Sequence, residues 1–368
     1  MKKYFFNILV LFFILNSCEV IEGPYNTLEG CTDINAFNYN ENAGIDDSTC
    51  CYLSGCTDIN ALNYDSLACH DNDSCQYTIG NVAGCTDSLS VNYNPLAVID
   101  NGSCEPYPKN VLIEYFTGHK CTNCPAAAAE LKSIQSDDYG AQVIGMTIHV
   151  SKSFARPNGE NSEKFQYDFR TEWGDNWDAS NSFNISNSGL PKGMVNRIDY
   201  PESHILDWGE WRETVGLELM KTVSFGIKIE SSSNEITVNT RILNDISGSY
   251  NLAICLTESN IINWQGIQIN DVNTDVEDYE HNYVLRSVLY DGSLSSANNF
   301  ITGNKIEKNL NYNIDDLEQY NIEYSANEAF MGNGNAGGWN PNNMSVVAFI
   351  YDINTKEILQ VQEEHLNH

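Results

Sequence analysis

Hydrophobic and polar positions change period along this chain. Residues 111–116 form an unbroken apolar run, followed by Cys121-Thr122-Asn123-Cys124-Pro125 and an Ala-rich run of strong helix formers. Residues 142–150 form a second near-continuous apolar run, as expected of a strand buried on both faces. Strand, helix and strand in this order predict a right-handed βαβ unit with a parallel sheet. From about residue 220 the period becomes two. Residues 223–229, 235–242, 250–256, 282–290, 306–312 and 345–351 read as strands, separated by Asn, Ser, Gly and Asp. Short alternating strands of this kind predict an antiparallel β-sandwich. Between the two regions, residues 151–188 are polar and aromatic-rich, with Trp173 and Trp177. They read as an insertion holding one or two helices, placed to act as a lid.

Residues 30–104 have neither period. They repeat instead. Gly30-Cys31-Thr32-Asp33 recurs as Gly55-Cys56-Thr57-Asp58 and Gly84-Cys85-Thr86-Asp87. Each copy continues to an Asn-Tyr pair (Asn38-Tyr39, Asn63-Tyr64, Asn92-Tyr93) and closes on Cys50, Cys75 or Cys104. The opening and closing cysteines are 19 apart in all three copies, which argues for one disulfide within each. A unit this short buries no real core, so a staple must replace it. Cys51 and Cys69 fall outside the pattern. A bond joining the first unit to the second is one pairing open to them. Asp/Asn clusters before each closing cysteine fit either turn chemistry or oxygen ligation of Ca²⁺.

At the N-terminus, Lys2 and Lys3 precede a nearly continuous apolar run over residues 4–15, which is signal-peptide length and short for a membrane span. Leu15-Asn16-Ser17-Cys18 resembles a bacterial lipobox. The resemblance implies cleavage before Cys18, acylation of Cys18 and anchoring by lipid. The other reading is an ordinary cleaved signal with Cys18 in a disulfide. Loss of Lys2 and Lys3 takes the net charge from −31 to −33. So acidic a chain is a poor partner for nucleic acid. Eleven of the 12 cysteines lie at or before position 124, the signature of an oxidising compartment. Cys255, alone beyond it, sits in an apolar strand and reads as a buried, inert thiol.

Candidate chemistry centres on Cys121 and Cys124. Two cysteines three apart at a helix N-terminus meet unpaired N–H groups and a partial positive charge, which stabilise a thiolate. Pro125 suits the first helical turn. Three readings stay open at this stage: a redox-active dithiol, a structural disulfide, or a metal site with His119 and His149 joining the thiols around copper. Gly189-Leu190-Pro191-Lys192-Gly193 is a tight-turn signal and a candidate cis peptide.

A CxxCP at a strand–helix junction with a Pro-led strand later in the chain resembles the thioredoxin-like fold. More closely, EYFTGHKCTNCPAA together with GLPKGMVNR resembles the outer-membrane-protein-28-related lipoproteins, from about Lys109 to His368. The GCTD…NY…DDGSC units resemble tandem modules of secreted and surface proteins of Gram-negative bacteria, which implies a spacer or adhesive stalk. The family resemblance implies that Cys121 is an exposed nucleophile, Cys124 the resolving thiol and Pro191 a cis-proline beside them. Two positions depart from thioredoxins proper. Lys120 stands where Trp precedes the first cysteine, and Tyr115 where a buried Asp lies. Glu114 is adjacent, but alternation points it to the other face. His119 and Lys120 would lower the thiol pKa if charged.

The expected architecture is therefore α/β plus all-β: a signal peptide (1–17), a linker (18–29), three stapled repeats (30–106), a thioredoxin-like domain (107–218) and a β-sandwich (219–368). The expected location is the outer membrane, facing the periplasm or the cell surface. The expected function is thiol–disulfide exchange through Cys121 and Cys124 on exported proteins. The alternative is a surface adhesin or scaffold that binds cell-surface ligands and keeps a structural disulfide at the CxxC. No cofactor is called for, unless the repeats take Ca²⁺.

Overall fold

The structure, a computed structural model, describes residues 28–76, 82–159, 161–232 and 234–366. The signal segment and Cys18 lie outside the described residues. The chain forms two compact units that divide after Val82, and the second is mostly β.

The first unit holds two modules. Cys31–Cys50 and Cys56–Cys75 are bonded within them, and Cys51–Cys69 joins one to the other. The third module, closed by Cys85–Cys104, belongs to the second unit. Each module repeats the same polar frame. Asp46, Asp71 and Asp100 accept the backbone N–H of Ser48, Asp73 and Gly102 at 2.7, 3.0 and 2.9 Å. Asn38, Asn63 and Asn92 donate to the carbonyls of Thr49, Ser74 and Ser103 at 2.9, 2.7 and 2.6 Å. The clustered acids and amides thus act as Asx turns and clamps, which is how side chains of this kind replace a missing sheet or helix.

In the second unit the longer elements are β1 (Val111–Thr117), α1 (Cys124–Ser133), β2 (Val143–His149), α2 (Glu172–Trp177), β3 (Lys192–Val195), α3 (Trp211–Leu219), β4 (Phe225–Ser231), β5 (Glu235–Ile242), β6 (Tyr250–Glu258), β7 (Ile261–Ile269), β8 (Val272–His281), β9 (Val284–Ser293), β10 (Lys305–Asn311), α4 (Ile314–Asn327), β11 (Met344–Asp352) and β12 (Ile358–His365). β1 and β2 are parallel, as the sequence pattern predicts, and β3 runs antiparallel to β1. The Leu190–Pro191 peptide leading into β3 is cis.

One seven-stranded sheet, ordered β12-β11-β6-β9-β2-β1-β3, runs through both the α/β half and the antiparallel half. The join is β9 beside β2, with Val284 opposite Thr147 and Thr147 N–H donating to the Tyr283 carbonyl at 2.7 Å. The change of pattern near residue 220 therefore marks a change of strand direction within a shared sheet. Alternation sorts the side chains of β6 and β11. Leu252, Ile254, Val346 and Ala348 pack against Phe225, Ile227, Ile236 and Val238 of the separate β4-β5-β10 sheet. Ala253, Cys255, Val347 and Phe349 face the other way, toward Trp177, Phe183 and Ile185. β1 is buried on both faces. Leu112 and Phe116 join that second core, while Val111, Ile113 and Tyr115 pack under α1 and α3 with Trp211 and Val215. Burial on this scale is the main favourable term in folding.

Among the longer elements, α3, α4, β12 and the β7–β8 hairpin escaped the sequence pattern. The hairpin prolongs β6 and β9 beyond the sheet as a two-stranded arm, turning at Asn270 and Asp271.

Candidate functional site: a covered cysteine pair

β1 ends at Thr117, and the chain turns at once through Gly118. A Cβ there would lie 2.5 Å from the Phe154 backbone, so only glycine lets the 151–159 segment cross. Phe154 then accepts the Lys120 N–H at 3.0 Å. The loop closes on itself, with Cys121 N–H donating to Gly118 and Cys124 N–H to Cys121 at 2.9 and 3.2 Å. α1 starts at Cys124 with Pro125 in its first turn and no side-chain cap. Cys121 and Cys124 are bonded to each other. Leu190, next to Pro191, packs in the same apolar cluster as both sulfurs.

The expectation of an exposed nucleophile is not met. Cys121 is 2% exposed and Cys124 1%. The cover comes from the arm. Gln265 Nε2 donates to the Cys121 carbonyl at 3.0 Å, and Gly266 N–H donates to the His119 carbonyl at 2.7 Å. At Gly266 a Cβ would sit 3.3 Å from the Lys120 carbonyl oxygen and from Thr122, so the arm's backbone lies directly on the loop. Residues 151–188 contribute at the side, through Phe154, Phe165 and Phe169, rather than as the lid itself.

Electrostatics around the pair also differ from expectation. His119 is buried against Phe165 and Phe169 at ring distances of 5.4 and 5.9 Å. Burial, with Lys120 and His281 nearby, pulls its pKa down to about 3, so it is neutral and offers a thiolate no charge. Lys120 is lowered by burial and by Arg156, and its Nζ donates to Asn158 at 2.7 Å. Tyr115 occupies the place of the missing carboxylate. Its hydroxyl donates to the Cys124 carbonyl at 2.6 Å, and burial pushes its pKa far up. Glu114 faces away, as alternation predicts, and pairs with Arg197.

Two more histidines complete the surroundings. His149 ends β2 and His281 ends β8. Both stack or tilt on Phe169, at 4.5 and 4.6 Å, and their rings are 5.6 Å apart. Both ring nitrogens of His119 and His149, and Nε2 of His281, have no hydrogen-bond partner. Among the described residues, no three His, Cys, Asp or Glu side chains are placed to share a metal ion. Beside the pair, a cleft of about 510 Å³ opens between α1 and β8, lined by Tyr115, Cys124, Pro125, Ala128, Tyr279 and Tyr283 among others.

The arm residues Gln265, Gly266 and His281 were missed in the sequence. One signal was present: an isolated glycine within a strand-like run marks a close backbone approach.

A family model described as outer membrane protein Omp28 matches residues 178–368, just over half of the chain. The chain belongs to the Omp28 family. Membership places it at the outer membrane. The match begins after Cys124, so it covers Pro191 and the arm of this Omp28 protein but not its cysteine pair. No curated protein matches. Among solved structures, HBP35 of Porphyromonas gingivalis is 16% identical with a TM-score of 0.49, over 71% of this chain and 76% of that one. Protein AGR_C_4864 from Agrobacterium tumefaciens is 11% identical with a TM-score of 0.40, over 71% and 96%. A domain of the outer membrane lipoprotein Omp28 from Porphyromonas gingivalis is 15% identical with a TM-score of 0.20, over 40% and 91%.

Proposed function

We propose that this Omp28 protein is a lipid-anchored display protein whose thioredoxin-like domain keeps Cys121–Cys124 as a covered staple. One observation carries the reading: Cys121 is buried under Gln265 and Gly266, away from any partner thiol. Thiol–disulfide exchange needs in-line access of a thiolate to sulfur. The parallel β1–α1–β2 unit, the antiparallel β3 and the Pro-led strand beside the pair support the thioredoxin-like assignment. The stapled modules serve as spacer, and the partners are cell-surface ligands rather than nucleic acid. Acylated Cys18 is the anchor, and Cys18→Ser is expected to move the protein from the membrane to the soluble fraction.

The test is the reduction potential of the Cys121–Cys124 couple in the mature chain, with an insulin-reduction assay beside it. A potential below about −300 mV and no turnover are expected. A potential near that of a catalytic dithiol, with turnover, would replace this reading by exchange on exported proteins. The observation favouring that second reading is the CxxCP itself, at a helix start with a cleft reaching Cys124. In it, the Cys121 thiolate attacks a partner disulfide, expels one partner thiolate, and Cys124 then displaces the second while the Cys121–Cys124 bond re-forms.

A further inference from the structure

We propose that the β7–β8 arm is an acid-released cover, which protonation of His281 and of the neighbouring His149 and His119 lifts off the cysteine loop to expose the Cys121–Cys124 disulfide. The inference rests on the covered-staple reading and adds the condition under which the cover opens.

Geometry singles out the arm as the part that moves. It stands outside the seven-stranded sheet and pairs only with itself. Along β8 most side chains are exposed, and His281 is the one that is buried. Both strands leave the sheet through a residue in the left-handed region, Asn260 at φ 57° and Tyr283 at φ 58°. These positions form a two-point hinge, held by Asn260 N–H to Asn282 and Tyr283 N–H to Ser259, each at 2.9 Å. Few contacts hold the arm down. Among them are Gln265 and Gly266 on the loop, the exposed Lys164–Asp275 pair, Lys164 and Phe165 against Trp264, and the His281 ring.

The backbone of Trp264 and Asn263, on the arm itself, hydrogen-bonds the His281 ring and favours its charged form, but the buried Nε2 has no partner to take an added proton. The ring touches Phe169, His149 and Tyr279. The charged groups around it are already spoken for or repulsive. Arg286 of β9 is bound to Glu258 of β6 at 2.7 Å, and Arg170 is bound to Asp168 at 2.8 Å. His119 comes from the cysteine loop with Lys120 beside it, and His149 from β2. Burial pulls His281 down to about 4, and His149 well below its ordinary value. A histidine kept neutral when covered and titrating near 6.5 when free favours the open arm as pH falls. Between pH 7.5 and pH 5, His281 alone shifts the closed–open balance about 30-fold.

The experiment uses the mature chain and a water-soluble phosphine at pH 7.5, 6 and 5, with thiols trapped and counted by mass spectrometry. Cys51–Cys69, whose Cys69 is exposed, is the internal reference that cancels the reagent's own pH response. Cys255, fully enclosed in β6, reports unfolding of the sheet. Relative to the reference, reduction of Cys121–Cys124 is expected to rise more than tenfold from pH 7.5 to pH 5 with Cys255 still unmodified. His281→Phe is expected to flatten that rise. Should the variant fail to fold, deuterium uptake over residues 261–281 of the unmodified protein, corrected for intrinsic rates, is expected to increase at pH 5 ahead of β6. A flat ratio, with slow reduction at both pH values, overturns the switch and leaves the staple reading standing. Equal reactivity of the two disulfides at pH 7.5 overturns both. Modification of Cys255 at the same pH, or an unchanged rise in His281→Phe, overturns the switch.

Discussion

Arg197 closes on Glu114 at 2.5 and 2.7 Å, with both side chains sealed from solvent. The residues are 83 apart and belong to the two motifs EYFTG and GLPKGMVNR. Four rings pack over the guanidinium: Trp177, Phe183, Phe349 and Tyr351. The pair therefore ties β1 to the residues after β3 and to the antiparallel half. Arg197→Met is expected to cost about 3–5 kcal/mol, because it strands a buried carboxylate. Adding Glu114→Met should recover most of that loss. Urea unfolding of the two variants checks it, and a double variant no better than the single one would contradict the account.

Gln265 leaves a different signature. Gln265→Ala removes the donor to the Cys121 carbonyl and costs about 1–3 kcal/mol of arm closure. Phosphine reduction of Cys121–Cys124 at pH 7.5 is then expected to quicken roughly 5- to 150-fold, with global stability nearly unchanged. An unaltered rate would mean that Gln265 does not hold the cover.

Each module depends on its staple. Cys31→Ser with Cys50→Ser opens a loop worth about 3 kcal/mol in the chain-entropy model. Limited proteolysis of the mature chain should then cut between residues 31 and 50 while sparing β1–β12. Resistance equal to the unmodified protein would show that the Asx turns alone suffice.

Acid should weaken the whole second unit as well as the arm. His119 and His281 have folded values lowered to about 3 and about 4 from an unfolded value near 6.5. Their stabilising contribution is complete above about pH 6.5 and is lost as pH falls toward 4, at about 1.4 kcal/mol per unit for each group. Urea midpoints at pH 7.5, 6 and 5 measure this, and His149→Phe should shallow the slope. A midpoint independent of pH across that range would contradict it.

Short-range features were legible in the amino-acid sequence because short-range physics makes them. A 19-residue cysteine spacing repeated three times is met by three bonds, since a closed loop needs only its own residues. The β1–α1–β2 unit follows from two apolar runs flanking good helix formers, and Pro191 stands where its turn signal put it. Alternation likewise assigned Glu114 to the face away from the cysteines.

Tertiary structure alone decided whether Cys121 meets solvent. Its cover arrives from Gln265, 144 residues away, on an arm whose second strand, VNTDVEDYEH, is polar on both faces and shows no period to read. The single sheet shared by the two halves has the same origin: β9 and β2 each look complete on their own, and only their meeting at Val284 and Thr147 joins them. Local patterns determine which elements form, because hydrogen bonding and side-chain period act over a few residues. What lies on top of them depends on contacts between distant segments, and those are settled only when the whole chain packs.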